Sequence, residues 1–187
     1  MRLKRSRNTS SALIAGLMIM GVLLACGTTD ETDKANKLVN EGNSAVEQAK
    51  KYMGDAEQKK NKMMQTDVSQ LGDARTTANE AIRAYDQAGD KAKEAAGKYE
   101  EASKLQISDK FKEYLGLKVK EYNKRVEVVD ALKGVPQALI DSQNRSSFIS
   151  RANEATQKAE RLNKEAEDIA EQAEKIQKDN PDAFKKA

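Results

Sequence analysis

Histidine and tryptophan are missing from this chain of 187 residues, cysteine occurs once, proline twice, and aromatic side chains make up 4 %. Without histidine the usual general base, the usual haem ligand and a common zinc ligand are excluded together. Di-iron bundles built on inward Glu-x-x-His pairs are excluded for the same reason. Neither a glycine-rich phosphate loop nor a Gly-x-Ser-x-Gly elbow occurs. Acid pairs of the glycosidase kind need a pocket, and the carboxylates here are expected on solvated faces. No cofactor, no metal site and no enzymatic activity are expected.

Ala, Glu, Lys and Gln dominate, all good helix formers. Charged residues reach 34 %, a level shared by disordered chains and by long-helix proteins, so spacing has to decide. It decides for helices. Ala35, Leu38, Gly42, Ala45, Ala49, Tyr52, Ala56 and Met63 follow steps of three and four, interrupted by Lys59 and widened by Val39, Val46 and Met53. Leu71, Ala74, Ala78, Ala81, Tyr85, Ala88, Ala92, Ala95, Tyr99 and Ala102 keep the pattern without a miss. Phe111, Leu115, Val119, Tyr122, Val126, Val129 and Leu132 form a third stripe. Phe148, Ala152, Ala155, Ala159, Leu162, Ala166, Ile169, Ala173 and Ile176 form a fourth. Such sustained phase is what one face of a packed helix requires.

The boundaries predict helices over about 30–65, 67–104, 109–141 and 146–178, with a tail over 180–187. Thr28 with Glu31, and Asp67 with Gln70, have capping-box spacing. Ser108 or Asp109 is the expected cap of the third helix. Pro136 is expected to kink that helix rather than end it, because Leu139 and Ile140 continue its face. Near-equal lengths and short turns point to an all-α, long, antiparallel, coiled-coil-like four-helix bundle over 34–179. Turn signals at 64–70, 104–109 and 141–147 argue against a parallel coiled coil, and the unbroken 71–102 stripe argues against a helical repeat array. Inward positions are expected to be apolar or small apart from lysine. Tyr52, Tyr85 and Tyr99 read as core filler with the hydroxyl at the rim. Glu154–Lys158, Glu160–Lys164 and Glu171–Lys175 read as helix-supporting pairs.

The first 25 residues are of another kind. Arg2, Lys4, Arg5 and Arg7 precede an unbroken run of 14 apolar or glycine residues, 12–25. A membrane-spanning helix needs about 20 such residues, so the run is short for a permanent anchor and fits a cleaved secretory signal. No adjacent arginine pair occurs in KRSRN, which favours the general secretion route. Four of the 33 basic residues stand in this segment; without them 29 basic residues face 30 acidic ones. A near-neutral body gives no electrostatic case for nucleic acid.

The run ends Leu23-Leu24-Ala25-Cys26. This boundary resembles the lipobox of bacterial lipoproteins, with an apolar residue three before the cysteine and a small one just before it. The resemblance implies cleavage of residues 1–25, a diacylglyceryl group on the Cys26 sulfur, and a new amino terminus open to acylation. Residues 26–33 would be the lipidated start and a short spacer. Each buried lipid CH₂ contributes about 0.8 kcal/mol, so two or three chains hold a protein at a bilayer where one does not. A lone cysteine is then kept as an attachment point. Gly27 stands where an aspartate would signal retention in enteric lipoproteins. That favours the periplasmic face of the outer membrane, or the cell surface, over the inner membrane.

The functional expectation is a non-enzymatic, lipid-anchored rod in the cell envelope that spaces, tethers or binds an envelope protein or wall component. The alternative is a periplasmic chaperone-like or ligand-carrying bundle. The far-end turns, with Met63, Met64, Asn144 and Arg145, are the candidate partner surface, because methionines adapt to what they touch. Lys185 and Lys186 are expected either to approach anionic headgroups or to belong to a frayed tail.

Overall fold

The computed structural model describes residues 29–66 and 71–184. It contains four helices, α1 (Thr29–Gln65), α2 (Leu71–Ser103), α3 (Asp109–Asp141) and α4 (Arg145–Asp179), and a closing 3-10 turn, Pro181–Phe184. No strand is present among the described residues. At 1.5 Å per residue each helix is roughly 50–55 Å long. The signal segment with Leu23, Leu24, Ala25 and Cys26 lies outside the described residues, as do Thr28, Asp67, Gln70, Lys185 and Lys186.

The helix ends follow from local chemistry. The Ser108 hydroxyl accepts the Phe111 N–H at 3.2 Å and starts α3. The Asn144 side chain accepts the Ser147 N–H at 2.9 Å, which starts α4 at Arg145, one residue before the sequence estimate. At the other end of α4, Asn180 closes the helix by donating both its backbone N–H and its side-chain amide to the Ile176 carbonyl. α3 runs through Pro136, which is fully buried. One lost N–H in a 33-residue helix is tolerated where the ring fills the core.

Successive helices are antiparallel. Asn43 and Glu57 on α1 meet Tyr99 and Tyr85 on α2, in reverse order along the chain. α2 meets α3 through Tyr99–Tyr122 and Asp86–Lys133, and α3 meets α4 through Lys124–Glu165. The packing runs α1 on α2, α2 on α3 and α3 on α4, whereas α1 and α4 make no close backbone approach. The inner pair, α2 and α3, therefore carries the largest fully buried side chains: Tyr85, Tyr99, Phe111, Leu115 and Pro136.

The α2 stripe is buried from Ala74 to Ala102 as the spacing predicts. α3 buries more than its predicted stripe. Besides Phe111, Leu115, Tyr122, Val129 and Leu132, it buries Glu121, Val128, Ala131, Val135 and Ala138. The expectation that inward positions hold only apolar or small residues and lysine is thus corrected: Thr32, Thr77, Glu121 and Asn163 are also buried. Lys59, the interruption in the first stripe, is half-buried and paired with Asp55 one turn back, so its stem packs while its charge stays at the rim.

On α4, Glu154 accepts from the Ser150 hydroxyl at 3.2 Å, in place of the expected pairing with Lys158. An ion pair crosses from α4 to α3, Lys124–Glu165 at 3.2 Å. Of the expected tail over 180–187, Lys185 and Lys186 lie outside the described residues. Residues 181–184 fold back into the 3-10 turn, and Phe184 is buried.

Candidate functional site

Three chain segments meet at one end of the rod. The Glu31 carboxylate, in the first turn of α1, accepts the Gln106 N–H at 2.9 Å and so caps the loop between α2 and α3. In the same loop Leu105, half-buried, and Ile107, buried, belong to the core cluster that holds Ala35 and Val39. The C-terminal turn closes over this end. Phe184 stands edge-on to Phe111 at 5.5 Å and to Tyr114 at 5.3 Å between ring centroids. Ring pairs at this separation and tilt add to plain burial. The Ser108 hydroxyl donates to the Ala183 carbonyl at 3.4 Å. The start of α1, the α2–α3 loop and the end of α4 are thereby fastened together, three residues after Cys26 in sequence.

The opposite end holds the four residues singled out as a partner surface, and they fall into different roles. Met63 is 3 % exposed and packs in the core cluster with Ala78, Val135, Ala138 and Ala152. Its phase, as the last member of the α1 stripe, fits that place. Met64, the next residue, is 54 % exposed. Asn144 is exposed but its side chain is committed to capping α4. Arg145 is exposed at the first position of that helix. Ile149, which the sequence reading did not single out, is 45 % exposed. Met64 and Ile149 are the large apolar side chains most open to water among the described residues, and both sit at this end.

Between the ends lies a buried polar cluster. Glu121 is 3 % exposed. It accepts from the Lys118 ammonium with one oxygen and from Arg125 Nε at 2.8 Å with the other. The Lys118 ammonium also stands 4.9 Å from the centre of the Tyr122 ring, within cation–π range. Tyr122 in turn tilts against Tyr99 at 5.6 Å. Burial pushes the phenols of Tyr85, Tyr99 and Tyr122 well above their ordinary range, helped at Tyr85 by the Glu57 carboxylate. Tyr114 is pushed up to about 12, first by burial and then by the charges of Glu121 and Glu174. These phenols stay protonated at neutral pH and act as donors: Tyr85 to Glu57 at 2.6 Å and Tyr99 to Asn43 at 2.7 Å. The hydroxyls reach rim acceptors on α1, as expected of core filler.

Glu121 was hidden from pattern reading because α3 has no single apolar face. The signal that could have found it is local: a glutamate with lysine three before and arginine four after, all on one side of the helix. Both cations already engage the carboxylate, so the cluster is closed upon itself. Among the described residues no group of three or more His, Cys, Asp or Glu stands together to hold a metal. A shallow groove of about 520 Å³ runs between α3 and α4, bounded by Glu113, Gly116, Leu117, Lys120, Gln172, Lys175 and Ile176. No helix of the described residues is long and apolar enough to cross a membrane. Compared with protein-family models, with curated proteins and with solved structures, the chain matches none of them.

Proposed function

We propose that the protein is a lipid-anchored, non-enzymatic rod of the bacterial cell envelope, held by acyl chains on Cys26 and presenting its far end to a partner. The observation that carries this reading is the sequence Leu23-Leu24-Ala25-Cys26 closing a short apolar run behind four basic residues. What the fold adds is compatible geometry. α1 begins at Thr29, so almost no slack separates the proposed anchor from a continuous helix of 37 residues. Anchored there, the end fastened by Glu31, Ser108 and Phe184 faces the bilayer. The end with Met64, Arg145 and Ile149 stands roughly 50 Å away. The partner on this reading is an envelope protein or wall component met at the far end, and the anchor lies at the periplasmic face of the outer membrane or at the cell surface.

The test is fractionation of cells carrying the parent or Cys26→Ser, joined to crosslinking from Met64 or Arg145. The reading expects the parent in the membrane fraction and the variant displaced from it. It also expects one repeatable capture from the far end that a crosslinker at Glu113 does not give. A parent protein found wholly in the soluble fraction ends the anchored reading.

A further inference from the structure

We infer that the C-terminal 3-10 turn is a latch, and that its release lets α4 leave the bundle as a unit, swinging about the α3–α4 turn at 142–144. The inference does not depend on the anchor.

The two outer helices lie about equally close to their neighbours but differ in the side chains that hold them. α1 is pinned to α2 by Tyr85–Glu57, by Tyr99–Asn43 and by the Lys98–Glu41 ion pair at 2.8 Å. It buries Val39, Val46 and Met63 besides its alanines. α4 makes its close backbone approach to α3 alone among the helices, and reaches α1 and α2 only through shared core clusters such as Met63, Ala78 and Ala152. Its buried side chains are Ala152, Ala159, Ala166 and Ala173, with Leu162 and Asn163. Phe148 and Ile176 are half-buried and pack beside them. Leu162 is the one large apolar side chain α4 buries, and alanine buries little apolar area, so the seam is thinner than that of α1. The charged tie from α4 to α3 is the rim pair Lys124–Glu165, both partners partly exposed, and pairs of that kind contribute little.

What compensates stands at the end of the helix. Phe184 is 3 % exposed and is the only large aromatic beyond Phe148 in the last quarter of the chain. It lies against Phe111 and Tyr114, both in the first two turns of α3. The chain thus ties the far end of α4 to the near end of α3 with one ring, across the full length of the seam. At the other end the connection is covalent and short, 142–144. The arrangement is a hinge at one end, a weak seam along the length and a catch at the other. Whatever takes up the Phe184 ring in place of Phe111 and Tyr114 frees α4 and bares the α3 residues packed near it, Val135 and Ala138 among them. Segments with few apolar contacts open first and open as cooperative units.

Hydrogen exchange by mass spectrometry on the purified full chain tests this. In the parent, amides at 152–173 should exchange through a smaller opening than those at 81–95. Phe184→Ala should speed exchange across 145–179 on the order of a hundredfold and leave 71–103 unchanged. Phe184→Leu, which keeps an apolar plug and the fold, should fall between the two in the same segment. Equal protection of α2 and α4 in the parent overturns the inference. So does acceleration of equal size in all four helices with Phe184→Leu, or no change within 145–179 in either variant.

Discussion

Gly42 on α1 faces the ring of Tyr99 on α2 so closely that a methyl group built on Gly42 would stand 2.9 Å from the ring's Cε1. The ring cannot step aside, because it is 1 % exposed and its hydroxyl is fixed on Asn43 at 2.7 Å. The glycine is what lets α1 and α2 close over a tyrosine, in a bundle whose seams are otherwise filled by alanine.

Gly42→Ala should therefore lower stability by about 1–3 kcal/mol, the usual cost of overfilling a packed core. Gly54→Ala is expected to do the reverse, since nothing lies within 4 Å of its Cβ position. There the gain is about 0.5–1 kcal/mol, from a better helix former and a less flexible unfolded chain. Urea unfolding followed by helical ellipticity measures both, and opposite signs are the expected outcome.

How much of this was readable in advance divides along the helices. The α2 stripe was legible residue by residue, because one face of α2 carries nearly all of its apolar side chains. The caps at Ser108 and Asn144 were legible or nearly so, since both residues are short polar acceptors placed just before an apolar run. α3 was half legible. Its first face, from Phe111 to Leu132, stood out, but Val128, Ala131, Val135 and Ala138 belong to a second face. That face shares core clusters with α1, α2 and α4 together. Glu121 was lost for the same reason. That α1 and α4 make no close backbone approach was not readable at all, because a stripe shows that a helix packs but not which helix it packs on. Met63 had the phase of the core and Met64 did not, so the sequence did contain the distinction between buried and exposed methionine.

Glu121→Ala leaves Lys118 and Arg125 without the carboxylate that joins them. Removing one partner of a buried pair costs several kcal/mol when the survivors are trapped. Here the cations are 18 % and 31 % exposed and can turn to water, so a loss of about 1–3 kcal/mol is expected in denaturant titration. Glu113→Ala, which removes an exposed partner of Lys110, should change stability by less than about 0.5 kcal/mol.

The tyrosines make stability fall in alkali. Burial raises the phenols of Tyr85, Tyr99, Tyr114 and Tyr122 above the ordinary tyrosine value of 10.0. The folded state therefore keeps protons that the unfolded chain gives up. That contribution is complete below pH 10.0 and is lost as pH rises from there through the folded values, about 12 at Tyr114. Tyrosinate absorbance of the native protein should lag behind that of the unfolded chain. The denaturant midpoint should drop between pH 10.0 and about 12. Coincident absorbance curves for the native and denatured protein would contradict the burial described.

Tyr85→Phe keeps the ring and removes the bond to Glu57, for an expected loss of about 1 kcal/mol. Tyr85→Ala empties a fully buried site between α1 and α2 and should cost about 3–5 kcal/mol. A gap that wide between the two variants separates packing from hydrogen bonding at this position, and thermal melts of both read it directly.

The mass of the amino-terminal peptide of the protein purified from membranes is the most direct measurement. The account expects that peptide to begin at Cys26 and to be heavier than its amino acids by a diacylglyceryl group on sulfur. A peptide that runs through Leu24, Ala25 and an unmodified Cys26 would contradict it.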